Sequence, residues 1–170
     1  MTTIETNVTT QVYRVYIKAT PQAIWDAITT PEWSDRYGYG GTVEFDMRPG
    51  GAFRTLSNDG MRAMGVGEVA VDGEVIECDP PRKLVQTWRL VMAPDVAAEG
   101  FTRLTYEIDD ARDGVTRLTV THNLEGAPKM ALLVSGSMED TGAGGGWNWV
   151  LCGLKTLLET GDSLNESRGG

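Results

Sequence analysis

Apolar positions change period twice along the chain, and each change predicts a change of element. Over 8–18, Tyr13, Val15 and Ile17 alternate with Arg14, Tyr16 and Lys18, the period of a half-buried strand. Thr20-Pro21 then supplies a capping hydroxyl followed by proline at the first helical position, and Ala23, Ile24, Ala27 and Ile28 make the apolar stripe of a short helix. Thr30-Pro31 repeats the device for a second short helix through Glu32 and Trp33, which ends before Gly38-Tyr39-Gly40-Gly41. Period two returns and predicts strands over 42–47, 52–57, 68–79, 83–92, 102–109 and 115–124, the third broken at Asp72-Gly73. Turn residues punctuate the series: Pro49-Gly50-Gly51, Asn58-Asp59-Gly60, Asp79-Pro80-Pro81 and Asp113-Gly114. The stretch 61–67 fits no template and is read as irregular.

Beyond Leu124, residues 128–134 read as a short turn or lid and the glycine-rich 142–146 as a flexible hinge. Trp147, Val150, Leu151, Leu154, Leu157 and Leu158 then fall at spacings of three and four. They predict an amphipathic helix of about four turns, ending near Gly161. The expected unit is one domain over 8–161, with flexible ends at 1–7 and 162–170. The order of elements predicts an α+β fold: a curved antiparallel sheet wrapped around the long C-terminal helix, the one element long and apolar enough to cover its apolar face. A curved sheet and a straight helix do not touch along their whole length, so a cavity is expected between them, near the two short helices.

Composition narrows the function classes. The chain has 170 residues, 41% hydrophobic and 23% charged, with a mean hydropathy of −0.23; this suits a single folded domain, and no apolar run reaches the roughly 20 residues of a membrane span. Lys plus Arg number 15 against 24 for Asp plus Glu, a net charge of −9 that repels phosphate backbones and anionic membrane surfaces. The first residues carry no basic patch followed by an apolar stretch, so a cytoplasmic protein is expected. Cys78 and Cys152, far apart and outside any Cys-x-x-Cys pair, are read as two small buried hydrophobes. One histidine, His122, excludes a zinc site of two or three histidines, no calcium-loop spacing is present, and neither a metal nor another cofactor is expected.

Six blocks carry a resemblance. They are Val15-Tyr16-Ile17-Lys18-Ala19-Thr20-Pro21 with Trp25; Thr30-Pro31-Glu32-Trp33; Arg48-Pro49-Gly50-Gly51-Ala52-Phe53; the run from Gly73 to Leu84 with Thr87-Trp88; Leu118-Thr119-Val120-Thr121-His122; and Gly145-Gly146-Trp147 opening Val150-Leu151-Cys152-Gly153-Leu154-Lys155. In this order they resemble the family of activator-of-heat-shock-protein-90-ATPase homologues, within the START-like helix-grip superfamily SRPBCC. The resemblance implies the helix-grip fold. It leaves several activities open, since the superfamily includes lipid and hormone carriers, polyketide aromatase/cyclases and co-chaperone domains. It also implies a stress-response setting, leaves open a chaperone partner and a homodimer, and offers no second module of the kind the eukaryotic activators add.

Strand alternation groups Leu84, Gln86, Trp88 and Leu90; Leu104, Tyr106 and Ile108; and Leu118, Val120 and His122, each set facing the helix. Trp88, Tyr106, His122 and Trp147, with Leu151 and Leu154, then either line a pocket for a small hydrophobic or aromatic molecule, lipid-like or polyketide-like, or pack as solid core. The leading expectation is binding without catalysis. The alternatives are a cyclase/aromatase-like or hydrolase-like enzyme using the same cavity, with His122 as acid or base, and a co-chaperone-like interaction domain. His122 is the weak catalytic candidate, because a role in proton transfer needs a neighbouring carboxylate, and Glu68, Glu77 and Glu125 are the ones to test. Gly161-Asp162-Ser163-Leu164 has the letters of a hydrolase motif but follows a helix rather than a strand, and 142–146 lacks the Lys-Ser/Thr ending of a phosphate loop.

Overall fold

Seven strands form one antiparallel sheet in the computed structural model, which describes residues 9–141 and 144–165. They are β1 (Thr10–Ile17), β2 (Thr42–Phe45), β3 (Ala52–Leu56), β4 (Val69–Asp79), β5 (Lys83–Leu90), β6 (Thr102–Arg112) and β7 (Val115–Asn123). The order across the sheet is β1-β7-β6-β5-β4-β3-β2, so β2 to β7 run as a meander of neighbours and β1 closes onto β7. The expectations for residues 1–7, for residue 8 at the start of the first strand, for 142–143 of the glycine-rich stretch and for 166–170 lie outside the described residues.

The helices follow from the caps read in the sequence. Thr20 accepts a hydrogen bond from the Ala23 N–H and Pro21 opens α1 (Pro21–Thr29), which buries Ile24, Trp25, Ala27 and Ile28. Pro31 opens α2 (Pro31–Ser34). The stretch read as irregular begins instead with α3 (Asp59–Ala63): the Asn58 side chain, read as part of a turn, caps it by accepting the Met61 N–H at 2.8 Å. Pro94 opens a single turn, α4 (Pro94–Ala97), and β5 therefore stops at Leu90 rather than 92. After α5 (Pro128–Val134) and a 3₁₀ turn at Glu139–Thr141, α6 (Gly146–Thr160) runs to Gly161, whose φ of 81° ends it in the left-handed conformation.

The expected break at Asp72-Gly73 is absent, and β4 is continuous. Glycine is needed there for another reason, since a side chain at Gly73 would run into the Thr87 carbonyl of β5. Both cysteines are free, but Cys78 is half-buried and Cys152 exposed, so neither is the fully buried hydrophobe expected; Cys152 falls outside the apolar stripe of α6. At the described start of the C-terminal tail, the Ser163 hydroxyl donates to the Arg36 carbonyl. No helix among the described residues is long and apolar enough to cross a membrane.

Register places the core. Tyr13, Val120, Tyr106 and Leu84 form one row across β1, β7, β6 and β5, and Gln11, His122, Leu104 and Gln86 form the next. α6 packs over this end of the sheet, against β1, α1 and α5, burying Trp147, Leu151, Leu154 and Leu157. A second, smaller cluster of Phe53, Ala70 and Val71 sits on β3 and β4. Phe45, Trp88 and Leu90 pack against both clusters. The α+β helix-grip architecture read from the sequence is therefore the observed one, with the helix gripped toward one side of the sheet.

Candidate functional site

Because α6 covers the β1 side, the β2–β5 side of the same sheet face is left with a cavity of about 460 Å³. Its floor is Val43 and Phe45 of β2, Phe53 and Thr55 of β3, Val71 of β4, and Trp88 and Leu90 of β5. Tyr37 to Gly41 and the first turns of α6, with Trp147 and Val150, form the roof, and Val134 of α5 and Met61 of α3 close the sides. No Asp, Glu, Lys, Arg or His is among the lining residues. A chain with a net charge of −9 thus keeps every charge out of this space, where an unpaired charge would be strongly disfavoured. A wider depression of about 700 Å³ lies beyond Tyr39, between Asn58 and Trp149, but it is open to solvent and covers a molecule on one side only.

The sequence-predicted residues divide evenly. Trp88, Tyr106 and Trp147 line the cavity. His122, Leu151 and Leu154 do not: all three are buried in the packed core behind it, with His122 0% exposed. The alternation argument grouped residues of one sheet face, but within that face His122 lies on β7, under α6, whereas the open space reaches no further across the sheet than Tyr106 on β6.

His122 links the two wall tryptophans from behind. Its ring meets Trp88 and Trp147 edge-on, with centroids 5.5 and 6.0 Å away. The Trp147 indole N–H, which can only donate, reaches His122 Nδ1 at 3.1 Å, so Nε2 carries the proton and donates to Thr102 Oγ1 at 2.7 Å. The Thr102 hydroxyl in turn donates to the Trp88 carbonyl at 2.9 Å. Glu68, Glu77 and Glu125 take no part. Burial lowers the His122 pKa to about 4, so at neutral pH the imidazole is uncharged, fully bonded and out of reach of anything in the cavity. That is the arrangement of a positioning residue.

Polar tips are few. The Tyr37 hydroxyl donates to the Ala27 carbonyl at 2.9 Å, and the Tyr39 hydroxyl accepts the Gly146 N–H at 2.8 Å, tying the roof loop to the start of α6. Tyr106 and Trp88 border the open space, and no hydrogen bond of the Tyr106 hydroxyl or the Trp88 indole N–H occurs among the described residues. Burial raises the pKa of Tyr106 far above its ordinary value, with the neighbouring Tyr37 adding to it, so the phenol stays protonated. No group of three or more His, Cys, Asp or Glu able to hold a metal occurs among the described residues.

Sequence reasoning missed most of the floor. Val43, Phe45, Phe53 and Thr55 alternate visibly along β2 and β3, but only the register, which sets Phe45 against Phe53 and Thr55 against Val71, shows that they share one wall.

Similarity to known proteins was found at two levels. The family model described as Activator of Hsp90 ATPase homolog 1-like protein matches residues 18–159. No curated protein matches the chain. Among solved structures, the chain resembles CalU16 from Micromonospora echinospora (TM-score 0.62, 19% identity, covering 92% of this chain and 69% of that one). It also resembles the Aha1 dimer from Colwellia psychrerythraea (TM-score 0.60, 19% identity, 89% and 97%). A third is PFC0360w, an HSP90 activator from Plasmodium falciparum (TM-score 0.54, 22% identity, 68% and 73%). At these identities the likeness to the structures is one of fold.

Proposed function

The chain belongs to the activator of Hsp90 ATPase homologue 1-like family, and from that premise and its cavity we propose that it binds a small uncharged apolar or aromatic molecule between the β2–β5 side of the sheet and the start of α6. The observation that carries the reading is the lining: about 460 Å³ walled mostly by aliphatic and aromatic side chains, without one Asp, Glu, Lys, Arg or His. Ligand cavities run from about 300 to 1,000 Å³ and are mostly apolar with a few placed polar groups. A neutral ring system gains by leaving water here at about 25 cal/mol per Å², whereas a carboxylate would lose its hydration with no cation to pair with it.

Native mass spectrometry of the purified protein against a panel of neutral polycyclic aromatics and of fatty acids tests this. A saturable one-to-one adduct with neutral aromatics is expected, with fatty-acid carboxylates weaker. Val71→Phe, which fills the floor beside Thr55 and Leu90, is expected to weaken binding about tenfold or more through lost space, with the fold checked by circular dichroism. A folded protein that takes up nothing from the panel, or a Val71→Phe variant of unchanged affinity, sinks the reading.

A second reading, action on a protein partner such as Hsp90, is supported by the family and by the resemblance to a solved HSP90 activator. A pull-down at physiological salt separates the two: chaperone capture that survives Val71→Phe supports the partner reading, and no capture counts against it.

A further inference from the structure

Among the described residues one side chain has buried polar atoms without a hydrogen-bond partner: Gln86, 1% exposed, at both Nε2 and Oε1. A buried carboxamide in that state is disfavoured, and leucine of similar size would be free of the cost. Its place in the sheet is informative. Gln86 stands on the same face of β5 as Leu84 and Trp88, opposite Val75 of β4 and Leu104 of β6. Leu84, one same-face step away, is opposite Tyr106. The carboxamide is therefore next along the strand to Trp88 and diagonal across the ladder to Tyr106, a separation of about 7–8 Å that long polar and aromatic side chains span. These are the two wall rings whose N–H and O–H tips also make no hydrogen bond among the described residues.

Resting on the binding reading above, we propose that the inner end of the cavity, at Trp88, Tyr106 and Gln86, is a polar subsite for a carbonyl or hydroxyl oxygen of an uncharged aromatic ligand. The indole donates only; the phenol and the carboxamide donate and accept. Together they suit a quinone or phenol oxygen, and no cation is present among the lining residues to hold a carboxylate. Gln86 is not on the wall itself, so it meets this oxygen by turning its carboxamide between the two rings. The ring system of the ligand lies toward Phe53 and Val71, on the floor of the cavity.

Isothermal titration with naphthalene, 1-naphthol, 1,4-naphthoquinone and 1-naphthoate, on wild type and Gln86→Leu, tests the subsite. Wild type is expected to bind the naphthol or the quinone about tenfold tighter than naphthalene, the worth of a buried hydrogen bond, and not to bind the naphthoate. Gln86→Leu is expected to retain naphthalene affinity within about twofold, to lose the preference for the oxygenated rings, and to melt no lower than wild type. If Gln86→Leu does not fold, Tyr106→Phe, which keeps the ring and removes the hydroxyl, carries the same expectation. Equal wild-type affinity for naphthalene and its oxygenated analogues overturns the subsite alone, as does a preference that survives both substitutions. Failure of all four compounds to bind overturns the binding reading with it.

Discussion

His122 shows how much one buried side chain can be fixed by its partners. The Trp147 N–H sets its tautomer, and Thr102 passes the bond on to the carbonyl of Trp88, so three elements are tied at one ring. The same burial makes it a pH-dependent liability. In the unfolded chain the imidazole takes a proton near its ordinary value of 6.5, but in the folded protein only near 4. Between those values the unfolded state binds more protons, so stability is full above about pH 6.5 and falls as pH drops toward 4, by up to about 3 kcal/mol. Glu159 acts in a lower window. Hydrogen bonds from the Lys155 side chain and the Lys18 N–H hold its carboxyl below the usual range, so its contribution is present above that range and lost in stronger acid. Thermal melts in steps from about pH 7.5 to 5 are expected to show a steady fall for wild type and a lower but flat midpoint for His122→Gln. Parallel slopes in the two proteins would assign the titration to other groups.

At the scale of the element, the start of α6 decides whether there is a cavity at all. Gly146 has a φ of 64°, and a Cβ there would collide with the Val134 carbonyl, so the helix can begin against α5 only with glycine. Gly146→Ala combines a left-handed conformation with that collision; a destabilisation of about 2–4 kcal/mol is expected. Gly114→Ala, with φ 71° but open space around it, should cost only the conformational part, about 1–2 kcal/mol. Chemical denaturation of both variants checks this, and equal losses would show that the Val134 contact is without consequence. The sequence made the glycine-rich approach to α6 visible and suggested a hinge, whereas Gly146 is a tight packing point. The strands, the capped helices and the apolar stripe of α6 were legible because each is written in a local period or a cap. What α6 covers was not, because an amphipathic stripe says that a face is buried but not against which strands. That is why the sequence grouped Trp88, Tyr106 and Trp147, which border the cavity, with His122, Leu151 and Leu154, which share a face or a stripe with them but lie in the packed core behind it.

In the whole molecule the cavity lies where two hydrophobic clusters of unequal size meet. The large one unites β1, Val75 of β4, β5, β6 and β7 with α1, α4, α5 and α6; the small one is Phe53, Ala70 and Val71, and among the described residues the partly buried Phe45, Trp88 and Leu90 pack against both. β2, at the free edge of the sheet, is four residues long. Fewer buried contacts mean cheaper local opening, so without ligand the amides of β2 and β3 are expected to exchange hydrogen well before those of β6 and β7. Phe53, Val71, Trp88 and the 37–41 loop all line the cavity, so a neutral aromatic bound there as proposed would add the contacts the small cluster lacks. Its binding energy should appear as slower exchange in β2, β3, the first half of β4 and the roof loop, with β1 and β7 unchanged. Hydrogen exchange followed by mass spectrometry, with and without saturating 1-naphthol, reads this directly. Equal slowing in every strand would mean that the ligand acts on global unfolding alone and that the sheet opens as one unit; slowing confined to the β2–β4 side would mark the small cluster as the part of the fold that the ligand completes.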